Sequence, residues 1–181
     1  PSPRHLLWKV RRAAAFFGET PIAARADADR AARRAAAAAL GENPDLVVFD
    51  YAQSLAMAPS SIGAPHLFFA HNVETEILER HAKTASGVMQ KVWAREAGKM
   101  RRFEKRACKS ANGVITVSAR DAEIFREEFG AAIALAIPTG VDCGYFRFSP
   151  PAGDAPPALV FTGSMDWKAN RDGLFWFMND I

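Results

Sequence analysis

Cysteine is scarce: the 181-residue chain has two, Cys108 and Cys143, and neither sits in a C-x-x-C pair. This excludes a disulfide scaffold and a cysteine-based zinc site, and it fits a reducing compartment. The four histidines lack the i, i+4 spacing of a helical metal site, so no bound metal is expected. No apolar run approaches the roughly 18 residues of a membrane span, which excludes a segment that crosses a bilayer. Charge of one sign is in small excess only, 23 Lys and Arg against 20 Asp and Glu, for a net charge of +3. Such a balance permits an anionic partner without requiring one. What is present, 49% hydrophobic and 24% charged residues, is globular composition in a chain long enough to bury a core.

Short apolar runs rich in β-formers punctuate the chain. Asp45-Leu-Val-Val-Phe-Asp50 follows the Asn43-Pro44 turn signal, and His66-Leu-Phe-Phe-Ala70 follows Gly63-Ala-Pro65. Gly113-Val-Ile-Thr-Val117 is a third, and residues 133–137 a weaker fourth. Helical patterns at 25–40, 51–58, 74–83, 88–110 and 119–129 surround them, the first closed by Gly41. Strand and helix in alternation, with continuous apolar strands, predict a parallel α/β sheet covered by helices on both faces. Residues 149–157, Ser-Pro-Pro-Ala-Gly-Asp-Ala-Pro-Pro, read as an interdomain linker. Beyond it, residues 158–162 are predicted as a strand, Gly163-Ser164 as a turn and residues 170–181 as a helix, the opening of a second Rossmann-like domain. The expected domains are therefore 1–148, 149–157 and 158–181. With Pro1 at one end and a helix cut at Ile181, the chain is read as a piece of a longer protein.

The long helix at 88–110 is amphipathic. Met89, Trp93, Met100, Phe103 and Ala107 share one face, and Lys91, Arg95, Lys99, Arg102, Arg106 and Lys109 the other. The plain reading is a core stripe backed by a solvated one. The sharper reading is a basic ridge that meets anionic lipid headgroups.

In open α/β sheets ligands bind beyond the carboxyl ends of the strands, at a switch in strand order. That rule selects Asp50 and Tyr51, His71 to Glu74, Ser118, and residues 163–167. His71 directly follows a strand, and an imidazole can exchange a proton or bond a sugar hydroxyl or phosphate; the competing reading is a helix cap or a core hydrogen bond. Glu74 and Glu76 fall in a first helical turn, where negative charge offsets the helix dipole. Ser118 and Asp121 form an S-x-x-D pattern, which favours helix capping over chemistry. Asp50 and Tyr51 are placed to line an acceptor pocket, or Asp50 simply ends its strand. Gly163 and Ser164, with Lys168 nearby, resemble a glycine turn that lets backbone N–H groups approach phosphate; the competing reading is a tight turn beside solvated cations.

At these residues the chain resembles bacterial family 4 retaining glycosyltransferases of the exopolysaccharide-assembly type. The landmarks occur in family order: Asp45-Leu-Val-Val-Phe-Asp50, Ala70-His-Asn-Val-Glu74, Ala111-Asn-Gly-Val-Ile-Thr-Val-Ser118, Ile137-Pro-Thr-Gly-Val-Asp142, Tyr145-Phe146, and residues 159–170. Thr139 stands where the family usually has Asn, and Ser164 where it has Arg. The resemblance implies the two-domain GT-B fold, incomplete at both ends, with the N-domain lacking its first strands. It implies transfer of a sugar, with retention, from a nucleotide-sugar co-substrate to a hydroxyl of a polysaccharide or lipid-linked acceptor, and no other cofactor. By the same resemblance His71 is the catalytic candidate. Asp50, Tyr51, Glu74, Thr139 and Gly140 are substrate-binding candidates, and Gly163, Ser164 and Lys168 face the donor phosphates. The expected place is the cytoplasm, peripheral at the inner membrane through helix 88–110, with no nucleic-acid partner. The chain alone is expected to bind donor poorly and to be inactive. The alternative is a non-catalytic basic module that binds anionic membrane or nucleic acid; an epimerase of the same fold is opposed by the H-N-V-E and G-V-D landmarks.

Overall fold

The computed structural model describes residues 16–150, 153, 156 and 158–181. Most of the linker at 149–157 lies outside them. The chain divides into two compact units, Pro1–Gly140 and Val141–Ile181.

The first unit is an α/β layer structure. Its elements are α1 (Ile22–Asp27), α2 (Arg30–Gly41), β1 (Val47–Asp50), a 3-10 turn (Ala52–Ala56), β2 (His66–Ala70), α3 (Glu74–Thr84), α4 (Gly87–Ser110), β3 (Gly113–Thr116), α5 (Ala119–Glu127) and β4 (Ala134–Ala136). The four strands pair in parallel in the order β1-β2-β3-β4, the arrangement of a Rossmann-like sheet flanked by helices. Register rows such as Phe49, Phe68, Val114 and Ala134 run across the sheet. On that face Phe68, Val114, Phe125, Phe129, Ala107 and Cys108 form the core beneath α4 and α5, with the rings of Phe68 and Phe125 edge to face at 5.7 Å. Burying one such phenyl ring stabilises the fold by about 1.5–3 kcal/mol. Burial on the opposite face is thinner: Leu67, Phe69 and Ile115 are half-buried, and Val48 and Leu135 are 50% and 62% exposed. Strand order never reverses among the described strands, so the carboxyl ends of β1 and β2, rather than a switch between them, mark the site.

Several elements differ from their sequence expectation. The helix expected at 25–40 is two, because Asp29 begins a new one: its Oδ1 accepts from Ala32 N at 2.8 Å, an N-cap inside an alanine-rich run. The helix expected at 51–58 is the short 3-10 turn. Lys99 does not belong to the exposed basic face of α4. It is buried, pairs with Glu96 at 2.6 Å and donates to the Phe16 carbonyl at 2.6 Å. Arg95, Arg102, Arg106 and Lys109 remain exposed, and no helix among the described residues is long and apolar enough to cross a membrane. Ser118 caps α5, its Oγ accepting from Asp121 N at 3.1 Å, while Asp121 turns to Arg120 instead of completing a capping box.

The second unit holds α6 (Lys168–Asp180). Residues 158–162 form no strand: Leu159 and Val160 are exposed, and no neighbouring strand among the described residues of that unit offers hydrogen bonds. A β-forming sequence becomes a strand only where a partner edge satisfies its backbone.

Candidate functional site

The ends of β1 and β2 are adjacent because the strands pair in register, Asp50 opposite Phe69. One residue beyond β2, His71 reaches back across that pair. Its Nε2 lies 2.6 Å from Asp50 Oδ1. The imidazole stacks on Tyr51, with centroids 4.0 Å apart and planes at 14°, and lies against the Phe69 ring at 4.4 Å. A carboxylate accepts only from an N–H, so this bond places a proton on Nε2, and in the neutral ring Nδ1 then carries the lone pair. A histidine held by one carboxylate and two rings has its orientation fixed.

Tyr51 holds its position at a cost. Its backbone has φ 64° and ψ 151°, a region that L side chains rarely adopt and that costs on the order of 1–3 kcal/mol. The surroundings hold it there: Tyr51 N donates to Phe69 O at 3.0 Å, and the Tyr51 carbonyl accepts from Ser54 N at 3.2 Å and from Ser54 Oγ at 2.8 Å. The sharp turn that results ends β1 and swings the ring over His71.

Asp50, Tyr51, Gln53, Ser54 and Glu74, together with Ala23 and Met57, line one open cavity of about 590 Å³. Burial raises the Glu74 pKa above the ordinary carboxyl value, opposed by hydrogen bonds from the Asn72 and Gln53 side chains. Glu74 opens α3, and the start of that helix is fixed from another element. The Glu104 carboxylate of α4 accepts from Glu74 N at 2.8 Å, Thr75 N at 3.1 Å and Thr75 Oγ1 at 2.5 Å. Glu104 is fully buried, and desolvation pushes its pKa up to about 7 in spite of these three donors. Glu76, in the first turn of α3, pairs with Arg120 at 2.6 Å, which lowers its pKa.

Asp50, Tyr51, His71 and Glu74 are thus gathered in one place. Thr139 and Gly140 are not part of this cavity: they follow β4, three strands from β1, roughly 14 Å away by strand spacing, and both are exposed. In the second unit a Cβ at Gly163 would stand 2.8 Å from Asn170 Nδ2 and 2.9 Å from the Phe161 ring, side-chain ends that would have to shift to admit it. Ser164 Oγ accepts from Asp166 N at 3.3 Å, and the Ser164 carbonyl accepts from Asn170 Nδ2 at 3.0 Å. Lys168 is engaged in an i, i+4 pair with Asp172. Sequence reasoning missed Phe69, Gln53 and Glu104. The strand period places Phe69 on the face of Asp50, a signal that was available; nothing in the sequence marks Gln53 or pairs Glu104 with residues 74 and 75.

A four-stranded parallel sheet flanked by helices, with an oriented histidine at its carboxyl strand ends, is the architecture of the Rossmann-like class. The sequence profile described as Glycosyltransferase Family 4 matches residues 5–145, and the chain belongs to that family. No curated protein and no solved structure matches it.

Proposed function

We propose that the chain is the acceptor-side part of a retaining glycosyltransferase that moves a sugar from a nucleotide-sugar donor to a hydroxyl of a polysaccharide or lipid-linked acceptor. The observation that carries this reading is the bond between His71 and Asp50, a residue that lines the cavity, in a domain of glycosyltransferase family 4. In the transfer, the bond between the anomeric carbon and the diphosphate oxygen breaks as the bond to the acceptor oxygen forms on the same face. The acceptor proton leaves with the diphosphate. His71 is the proposed catalytic residue. Asp50 sets its tautomer, and Nδ1 is free to hold a reacting sugar hydroxyl in place.

Asp50, Tyr51 and Glu74 bind the acceptor in this reading, and Thr139 and Gly140 contribute from the loop after β4. Gly163, Ser164 and Lys168 face the donor phosphates, Lys168 first leaving Asp172. Backbone N–H groups and basic side chains meet the leaving charge, without a metal or a further cofactor. The enzyme works in the cytoplasm at the inner membrane surface, with Lys91, Arg95 and Arg102 of α4 toward the lipid, and has no nucleic-acid partner.

The test is transfer by the protein expressed from its full coding sequence, with UDP- and GDP-sugars as donors and glycan or polyprenyl-diphosphate-linked acceptors. The anomeric proton of the product, followed by NMR, is expected in the configuration of the donor. Inversion, or no transfer from any donor, contradicts the proposal.

A further inference from the structure

Glu104 belongs to α4, yet its hydrogen bonds go to the start of α3. It is fully buried and bonds to neutral donors: Glu74 N reaches Oε1 at 2.8 Å, and Thr75 N and Oγ1 reach Oε2 at 3.1 and 2.5 Å. Burying a carboxyl group costs stability unless its oxygens are satisfied. A serine or aspartate just before α3 could cap the helix with less desolvation. That position is Val73, whose side chain is part of the hydrophobic core, so the cap comes from another helix.

The residue held in this way stands between two turns. The side chains of Asn72 and Gln53 hydrogen-bond the carboxyl group of Glu74. Asn72 directly follows His71 in the β2–α3 turn, and Gln53 stands two residues after Tyr51 in the turn beyond β1. Across the same two turns His71 bonds Asp50 and stacks on Tyr51. Glu74 therefore ties together the turns that meet in the Asp50–His71 pair, and Glu104 fixes its backbone from α4.

We propose that Glu104 is a positioning residue of the site: it holds Glu74 and Thr75 so that the β2–α3 turn brings His71 onto Asp50. An amide cannot replace it. Glutamine has one acceptor oxygen and an NH2 group, so whichever way it is turned one of the two backbone N–H groups faces another N–H. The expected effect on transfer rests on the reading of His71 given above, whereas the effect on the His71 ring does not.

The experiment uses the protein expressed from its full coding sequence, labelled with nitrogen-15, and records the imidazole signals at about pH 8, where an ordinary histidine is neutral. Wild-type His71 is expected as the tautomer protonated at Nε2. In Glu104→Gln its ring nitrogens are expected to move toward the mean of the two tautomers, with kcat for glycosyl transfer lower by roughly tenfold or more. Thr75→Val, which keeps the shape and removes one donor, is expected to move the same signals less, and Thr75→Ser, which keeps the hydroxyl, to retain the wild-type ones. His66, at the opposite end of β2, is expected to stay unchanged throughout. Wild-type His71 signals in Glu104→Gln overturn the inference, and so does a shift of His66 as large as that of His71, the mark of general loosening. If Glu104→Gln does not fold, Thr75→Val decides, and unchanged His71 signals in it overturn the inference. Altered His71 signals with wild-type kcat would support the positioning and count against His71 as the catalytic residue. Altered signals in a protein that transfers no sugar would count against the transferase reading alone.

Discussion

At the scale of single residues, the site is built from one strained tyrosine and one oriented histidine. Tyr51 has the backbone of a glycine and the ring of an aromatic, and the ring is what His71 stacks on. This reverses an ordinary expectation for small substitutions. Away from helix interiors Gly usually loses to Ala through unfolded-state entropy, yet at a position with φ 64° alanine keeps the strain that glycine relieves. Urea denaturation is therefore expected to find Tyr51→Gly more stable than Tyr51→Ala by about 1–2 kcal/mol. Both variants are expected to lose transferase activity together with the ring. Tyr51→Ala as stable as Tyr51→Gly would show that the backbone is not strained. The residues at strand ends, Asp50, Tyr51, His71 and Glu74, were legible in the sequence because a strand that stops at a polar residue exposes that residue at the sheet edge. The strain on Tyr51 was not, since only glycine advertises a positive φ. Gln53 was invisible for a related reason: in a polar turn, nothing local shows which side chain will turn to Glu74.

At the scale of elements, the start of α3 depends on α4. The three donors that Glu104 accepts are backbone and side-chain groups of Glu74 and Thr75, a helix N-terminus capped from a neighbouring helix instead of its own first residue. Val73, the residue that precedes α3, makes no side-chain cap, so this carboxylate takes the role. Its pKa stands at about 7 where the ordinary value is 4.5, with burial the largest cause. A carboxyl whose pKa is raised in the fold binds its proton more tightly folded than unfolded. Its contribution to stability is complete below pH 4.5 and is lost as pH rises toward 7. Glu74 is shifted in the same direction and interacts with Glu104, so the two titrate as a pair. Urea midpoints from pH 5 to 8 are expected to show wild type losing on the order of 3 kcal/mol relative to Glu104→Gln across that window. Parallel pH profiles for the two proteins would contradict the assignment. The long helix itself was plain from its periodicity, but the sequence counted Lys99 among its wet residues. A lysine at a helical position reads as exposed until a buried glutamate three residues earlier and a carbonyl from residue 16 are seen to meet it.

At the scale of the whole molecule, the parallel α/β sheet followed from four apolar runs separated by helical patterns, and it is the architecture found. Two features did not follow. The run at 158–162 reads as a strand by composition, yet strand formation is a property of pairs of segments, and none among the described residues pairs with it. The difference in burial between the two faces is the second, because continuous apolar strands give no hint of which face is better covered; the structure leaves Val48 and Leu135 exposed. The proposed function spans both scales below this one: in it, Asp50 acts through His71, and the two together form the chemical centre of a sugar transferase. The most direct test is a double-mutant cycle on kcat for glycosyl transfer by the protein expressed from its full coding sequence. His71→Ala is expected to lower kcat by roughly a hundredfold or more, and Asp50→Asn by roughly tenfold or more. If Asp50 works only by orienting His71, the double variant loses no more than His71→Ala alone. Losses that multiply, or a His71→Ala enzyme that transfers at the wild-type rate, would contradict the account.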